Sequence, residues 1–255
     1  MRAVFSVAAT AFRESIRNKT MLAILLLAVG FIVSALLLAE LALDQRTRVI
    51  MDWGLFCVSA FGVLLSILVG VSQVHKEIRR KNLYVILTKP IYRWQYIFGK
   101  YLGLALTLLV ELGVLSASLI ALLAFEGINP SALLFQSLLL ALFEILLVAA
   151  IAVFFSSFSS PYLSGVFTFA IFVVGRSIPV LEKLAEKTHN AVGYAVLKVL
   201  VWGLPDLSEF NKATRVVHNL PIGWDHVGLG AMYATGYTLL LLLLSALIFS
   251  RRDIT

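Results

Sequence analysis

A single cysteine, Cys57, serves the whole 255-residue chain, so no intramolecular disulfide and no cysteine metal cluster can form. Charge is scarce too, at 14% of residues against 60% hydrophobic, and mean hydropathy is +0.96. Soluble domains run at about 45–50% apolar, so this composition excludes an ordinary soluble globular protein. Acidic residues are the rarer sign, 14 against 21 Lys and Arg, for a net charge of +7. No soluble basic patch collects the excess, which argues against a nucleic-acid partner and for Lys and Arg held at a membrane face. Residues 1–20 lack the short apolar core and small-residue cleavage site of a signal peptide. Motifs for catalysis are missing as well: there is no His-Glu-x-x-His, no Gly-x-Ser-x-Gly and no aspartate pair in facing spans, so the chain does not read as an enzyme. His189, His218 and His226 with Asp225 fit no metal-ligand spacing.

Long apolar stretches are what the chain has in abundance. A bilayer-crossing helix needs about 20 predominantly apolar residues. Six stretches qualify, at 21–40, 53–74, 95–125, 131–156, 161–181 and 227–250. Asn129-Pro130 and the Ser-rich turn ending at Pro161 mark two of the reversals. The expected fold is therefore all-α and polytopic, one transmembrane domain over residues 1–255. Its parts are a leading helix at 1–20, spans 1 and 2 within 21–74, a basic segment at 75–92, spans 3 to 5 within 93–181, an interfacial segment at 182–226, and span 6 with a tail at 227–255.

Six spans put both termini on one side. That side would hold four Lys and Arg before Thr20, seven between Lys76 and Lys100, and two at the C-terminus; the other would hold two near Arg46 and six spread from Arg176 to Arg215. The positive-inside rule then places both termini and the basic segment in the cytoplasm. At the N-terminus Phe5, Ala8, Ala9, Phe12 and Ile16 recur at helical spacing, with Arg13 and Arg17 elsewhere, which predicts an amphipathic helix along the cytoplasmic interface. Between spans 5 and 6, residues 184–200 and 208–218 read as interfacial helices separated by Gly203-Leu204-Pro205-Asp206.

The basic segment itself places Leu83, Ile86 and Leu87 on one helical face and Lys76, Glu77, Arg79 and Arg80 on others; Pro90 ends the element. Two readings stay open on periodicity alone, a topogenic positive loop or a docking helix for a soluble ATPase. Glu111 and Glu144 lie deep in spans 3 and 4, where a charge costs about 2.5–3.5 kcal/mol, so each should face protein or water or be protonated. They could line a substrate or proton pathway, or make interhelical hydrogen bonds. Gly54, Gly62, Gly70, Gly99 and Gly103 suit close helix packing, and the Gly99–Gly103 step could serve a dimer or the internal bundle.

Several segments in order carry a resemblance: Phe12-Arg13-Glu14-Ser15-Ile16-Arg17-Asn18-Lys19, Glu77 through Leu87-Thr88-Lys89-Pro90-Ile91-Tyr92-Arg93, Gly99-Lys100-Tyr101-Leu102-Gly103, Val174-Gly175-Arg176, Leu204-Pro205-Asp206-Leu207-Ser208-Glu209-Phe210-Asn211 and the terminal Ile248-Phe249-Ser250-Arg251-Arg252-Asp253. Together they resemble the ABC-2-type permeases, nearest the branch that includes the nitrous-oxide-reductase maturation permease; Lys81-Asn82 departs from the Gly-Thr usual there. The resemblance implies an exporter permease in the bacterial cytoplasmic (inner) membrane, paired with a second copy, a homodimer being sufficient. Separate ATPase subunits would dock on the coupling segment through Glu77, Arg79, Arg80, Leu83, Leu87, Lys89, Pro90 and Arg93. The chain has no Gly-x4-Gly-Lys-Ser/Thr loop to cradle phosphates, so ATP and Mg would belong to those subunits and this chain would hold no cofactor. The competing expectations are a proton-coupled transporter using Glu111 and Glu144, and a membrane assembly factor that transports nothing.

Overall fold

A computed structural model of the chain describes residues 2–42, 45–79, 93–187, 191–218 and 220–251, and the regular structure among them is helical throughout. The order is α1 (Arg2–Ile16), α2 (Lys19–Val33), α3 (Ala35–Leu41), α4 (Arg46–Arg79), α5 (Arg93–Phe125), α6 (Ala132–Ser156), α7 (Pro161–Arg176), α8 (Ile178–Lys187), α9 (Ala191–Gly203), a 3₁₀ turn (Ser208–Phe210), α10 (Ala213–Val217) and α11 (Trp224–Arg251). Five units are long and apolar enough to cross a membrane: Lys19–Leu41, Arg46–Gln73, Trp94–Phe125, Ala132–Ser156 and Trp224–Ile248. The sixth expected span is not one straight helix. It is the pair α7 and α8, bent by 62°.

At the centre stands α6, which packs against α4, α5, α7 and α11. Apolar residues surround it on all sides, as in a helix with no solvent face, and Leu134, Leu140, Leu147, Val148 and Ala150 are fully buried. Its start is set by Ser131, whose Oγ accepts from Leu134 N (3.4 Å). The preceding turn follows from Gly127 at φ +72°. With it, Ile128 N donates to Leu123 O (2.9 Å) and Gly127 N to Ala124 O (3.1 Å), the Schellman arrangement that stops α5 just before Asn129-Pro130.

Small residues decide how α1 is held. It lies along the first turns of α5, and a Cβ added to Gly103 would sit 2.5 Å from Ala8 O and 2.6 Å from Ala11 Cβ; one on Gly99 would meet Val4 O and Val7 Cβ at 2.9 Å. The Gly99–Gly103 step therefore serves the internal bundle. Ala8, Ala11 and Ser15 form the buried face of α1, whereas Phe5, Ala9 and Ile16 point outward. At its end, Gln73 Nε2 of α4 donates to the buried Ser15 Oγ (2.6 Å). Elsewhere a Cβ on Gly70 would come within 2.7 Å of Ala152 Cβ, bringing α4 close to α6.

The break after α7 has a cause in the chain. Pro179 has no N–H to give the carbonyl of Gly175 one turn back, so the ladder opens there. Leu207 N fills the vacancy, donating to Gly175 O (3.1 Å), and the missing side chain of Gly175 leaves room for Pro205 O, which would lie 2.7 Å from a Cβ. Ser177 Oγ donates back to Val173 O (2.8 Å). Around the expected interfacial stretch 208–218, Leu207, Phe210, Val216 and Ile222 are buried while Glu209, Asn211, Thr214, Arg215 and His218 are exposed, so the segment is two-faced, with α10 packed on α4 and α6. The expected helix at 184–200 is divided between α8 and α9, which pack on each other.

Gly103→Val is expected to overpack the α1–α5 seam at a cost of about 1–3 kcal/mol, lowering the thermal midpoint of the detergent-purified chain by several degrees. Gly113→Ala, in open space, should leave the midpoint unchanged; equal shifts would refute the seam.

Candidate functional site

Where α7 stops, its last residue faces a carboxylate. Arg176 Nη1 lies 3.2 Å from Glu144 Oε1 and 3.0 Å from Ser59 Oγ, and Ser59 Oγ in turn donates to Glu144 Oε2 (3.1 Å). Three spans meet in this triangle: α4 supplies Ser59, α6 supplies Glu144 at the middle of its 25 residues, and α7 supplies Arg176. Glu144 is 1% exposed and Arg176 25% exposed, so the acid is sealed behind the base. Either charge alone would be costly at this depth. Paired, each satisfies the other, with the serine hydroxyl closing the third side.

Beside the triangle opens a chamber of about 660 Å³. Six aromatic rings line it: Phe31 from α2, Trp53, Phe56 and Phe61 from α4, and Phe169 and Phe172 from α7. Trp53 Nε1 donates to Phe31 O (3.0 Å), and the Phe31 and Phe61 rings lie 5.4 Å apart, which ties α2 to α4 on this face. Phe31 O also accepts from Ser34 Oγ (2.7 Å), at the interruption between α2 and α3. Arg176 stands over the Phe172 ring, 5.6 Å from its centroid, and is the one charged residue among the described residues lining the chamber; Asn211 adds an amide.

The expected site residues divide sharply. Glu144 proves to be an interhelical ion-pair partner. Glu111 is buried on α5, does not line the chamber, and its Oε2 has no hydrogen-bond partner among the described residues. Of the coupling residues, Glu77 and Arg79 end α4 and Arg93 opens α5, while Arg80, Leu83, Leu87, Lys89 and Pro90 lie outside the described residues. His189 lies outside them too, and His218 is exposed. His226 instead joins a second cavity of about 610 Å³ with Asp206, Glu209 and Tyr233, its Nε2 3.5 Å from Glu209 Oε2.

Sequence reasoning missed Arg176 and Ser59 as site residues. Arg176 was counted among the extracytoplasmic charges, yet it closes the apolar run 161–176 and is opposite in sign to the isolated Glu144. Two lone, opposite charges in neighbouring spans were the signal available. Ser59 gave none, since a serine in an apolar helix is commonplace.

Single neutralisation by Arg176→Gln or Glu144→Gln is expected to cost about 3–5 kcal/mol by stranding the partner, whereas Arg176→Gln with Glu144→Gln should cost less than either alone. Thermal unfolding of the four proteins in one detergent measures this; strictly additive losses would mean the two side chains do not interact.

Compared with known families, residues 5–254 match the family model described as ABC-2 family transporter protein. Among curated proteins the chain finds no match.

Proposed function

The chain belongs to the ABC-2 family of transporter proteins, and from that premise we propose that it is the permease of an ATP-driven exporter whose ATPase is a separate subunit. One observation carries this reading. A single uninterrupted helix, α4, contributes Trp53, Phe56 and Phe61 to the aromatic wall of the chamber and then continues to Arg79, within the basic segment. At 1.5 Å per residue its 34 residues span about 51 Å, long enough to cross the bilayer and stand beyond it. Force applied at 77–93 therefore reaches the chamber wall through one rigid rod. On the return side α5 starts at Arg93, and α1 packs along its first turns, so the segment is bracketed by two supported helices.

In this reading the ATPase subunits grip the segment at the cytoplasmic face of a bacterial inner membrane, both termini lying on that side. Leu83 and Leu87 fill an apolar groove, while Glu77, Arg79, Arg80, Lys89 and Arg93 set orientation through charge. ATP and Mg bind only in the partner. The partner's preference for different conformations with and without ATP supplies the free energy, and α4 converts it to a tilt that changes access to the chamber. A second copy of the chain completes the path across the α2, α4 and α7 face. A place near the nitrous-oxide-reductase maturation branch rests on sequence motifs alone.

The proton-coupled alternative keeps only Glu111, because Glu144 is already committed to Arg176 and Ser59. Purification of the intact chain in mild detergent with mass spectrometry of co-purifying proteins tests the main reading. Stoichiometric recovery of a Walker-type ATPase is expected, lost in an inserted Leu83→Asp/Leu87→Asp variant. A chain free of any ATPase would overturn it, and transport abolished by Glu111→Gln would then favour the proton-driven route.

A further inference from the structure

We propose that the chamber binds drug-sized amphipathic anions and that Arg176 reads their headgroup; this names a substrate class and rests on the chamber being the transport route. Arginine carries five N–H groups in a rigid fork. Both bonds of Arg176 in the triangle, to Glu144 Oε1 and to Ser59 Oγ, leave from Nη1. Among the described residues no acceptor engages Nε or Nη2, the edge that suits a carboxylate, sulfate or phosphate ester bidentately.

Burial gives that edge a direction. Glu144 is sealed at 1% exposure, while a quarter of the Arg176 side chain is open and lines the chamber. The ion pair thus turns its positive end to the cavity and its negative end to the protein. The Phe172 ring, its centroid 5.6 Å from the guanidinium carbon, adds a cation–π contact to the same group. Among the described residues that line the chamber none is acidic, and Asn211 can add a neutral hydrogen bond.

The remaining wall selects the body. Six aromatic rings and aliphatic side chains surround a volume of about 660 Å³, within the roughly 300–1,000 Å³ of pockets that enclose small molecules. A simple inorganic anion would leave this apolar surface uncovered. A neutral hydrocarbon would leave the guanidinium edge without an acceptor, and a cation would meet like charge at that edge. One molecule with an apolar body and a single anionic head satisfies both parts.

The full chain in phosphatidylcholine nanodiscs serves as the test, with a dansyl-labelled undecyl sulfate as probe and the matching uncharged dansyl-labelled undecanol as comparison. Saturable tryptophan-to-dansyl energy transfer reads occupancy. The sulfate is expected to bind at least about tenfold more tightly than the alcohol, as a charge-assisted hydrogen bond implies. In the paired variant Arg176→Gln/Glu144→Gln, which strands no charge, the preference should vanish while alcohol binding persists. Equal affinities in the unaltered chain would overturn the proposal without need of any variant. A preference that survives in the paired variant would remove Arg176 from the role. Displacement of the sulfate by nanodiscs rich in anionic phospholipid would assign the site to bilayer lipid and overturn the drug-sized ligand. No ATPase enters the assay, so recovery of an ATPase partner without selective binding sinks this inference alone. Selective binding by a chain that recruits no ATPase supports the anion site while the exporter reading fails.

Discussion

A guanidinium and a carboxylate at the middle of an apolar bundle cannot be left to hydrocarbon, and much of the architecture answers to that constraint. Glu144 sits halfway along a helix that is apolar on all sides, so its partner has to come from a neighbour at the same depth. That neighbour is α7, which ends at Arg176, and the chain turns there by 62°. The turn exposes a backbone carbonyl, which in a membrane must find an internal donor. Leu207 N supplies it, drawing the Pro205–Phe210 segment into the bundle behind it. One ion pair and one diverted backbone hydrogen bond thus fix where four elements lie.

The same arrangement makes the chamber. With α7 halted and its end held on α4 and α6, the rings of Phe169 and Phe172 face those of Trp53, Phe56 and Phe61 across a space they do not fill. The bond from Trp53 to the Phe31 carbonyl keeps α2 at the margin. Because α4 both walls this space and runs on to the basic segment, movement at one end cannot be absorbed by a hinge between them: α4 has no break from Arg46 to Arg79. Coupling over distance needs a contiguous rigid element with two positions, and α4 meets the first half of that requirement.

Much of the fold was legible in the residues. Spans reveal themselves by length and hydropathy, so four fell within a few residues of their limits while the second begins at Arg46, well ahead of the expected residue 53, and Asn129-Pro130 marked its turn through ordinary backbone chemistry. The bend in the fifth was written as Gly175 and Pro179, yet Pro179 stands within a run whose hydropathy does not change sign, and composition therefore read straight through it. The burial of Leu207, Phe210 and Val216 was hidden for a related reason. Mixed apolar and charged sequence does not say whether its apolar side meets the membrane interface or, as here, packs on α4 and α6. The leading helix was found by its period, but its buried positions are Ala8, Ala11 and Ser15, which hydropathy ranks below the outward phenylalanine. At the site, Glu144 was conspicuous and Arg176 was not, since an arginine at the edge of an apolar run resembles any loop charge; only the fold brings the two together.

That the aromatic chamber is one half of a path completed by a second copy is the central claim, and proximity across that face tests it most directly. Phe56 on the chamber side of α4 and Leu109 on α5 are equally exposed, at 56% and 54%. With Cys57→Ala as background, Phe56→Cys and Leu109→Cys would each be treated in native membranes with a short bifunctional maleimide. The account predicts a covalent dimer from Phe56→Cys and monomer from Leu109→Cys; a dimer through Leu109→Cys with none through Phe56→Cys would contradict it.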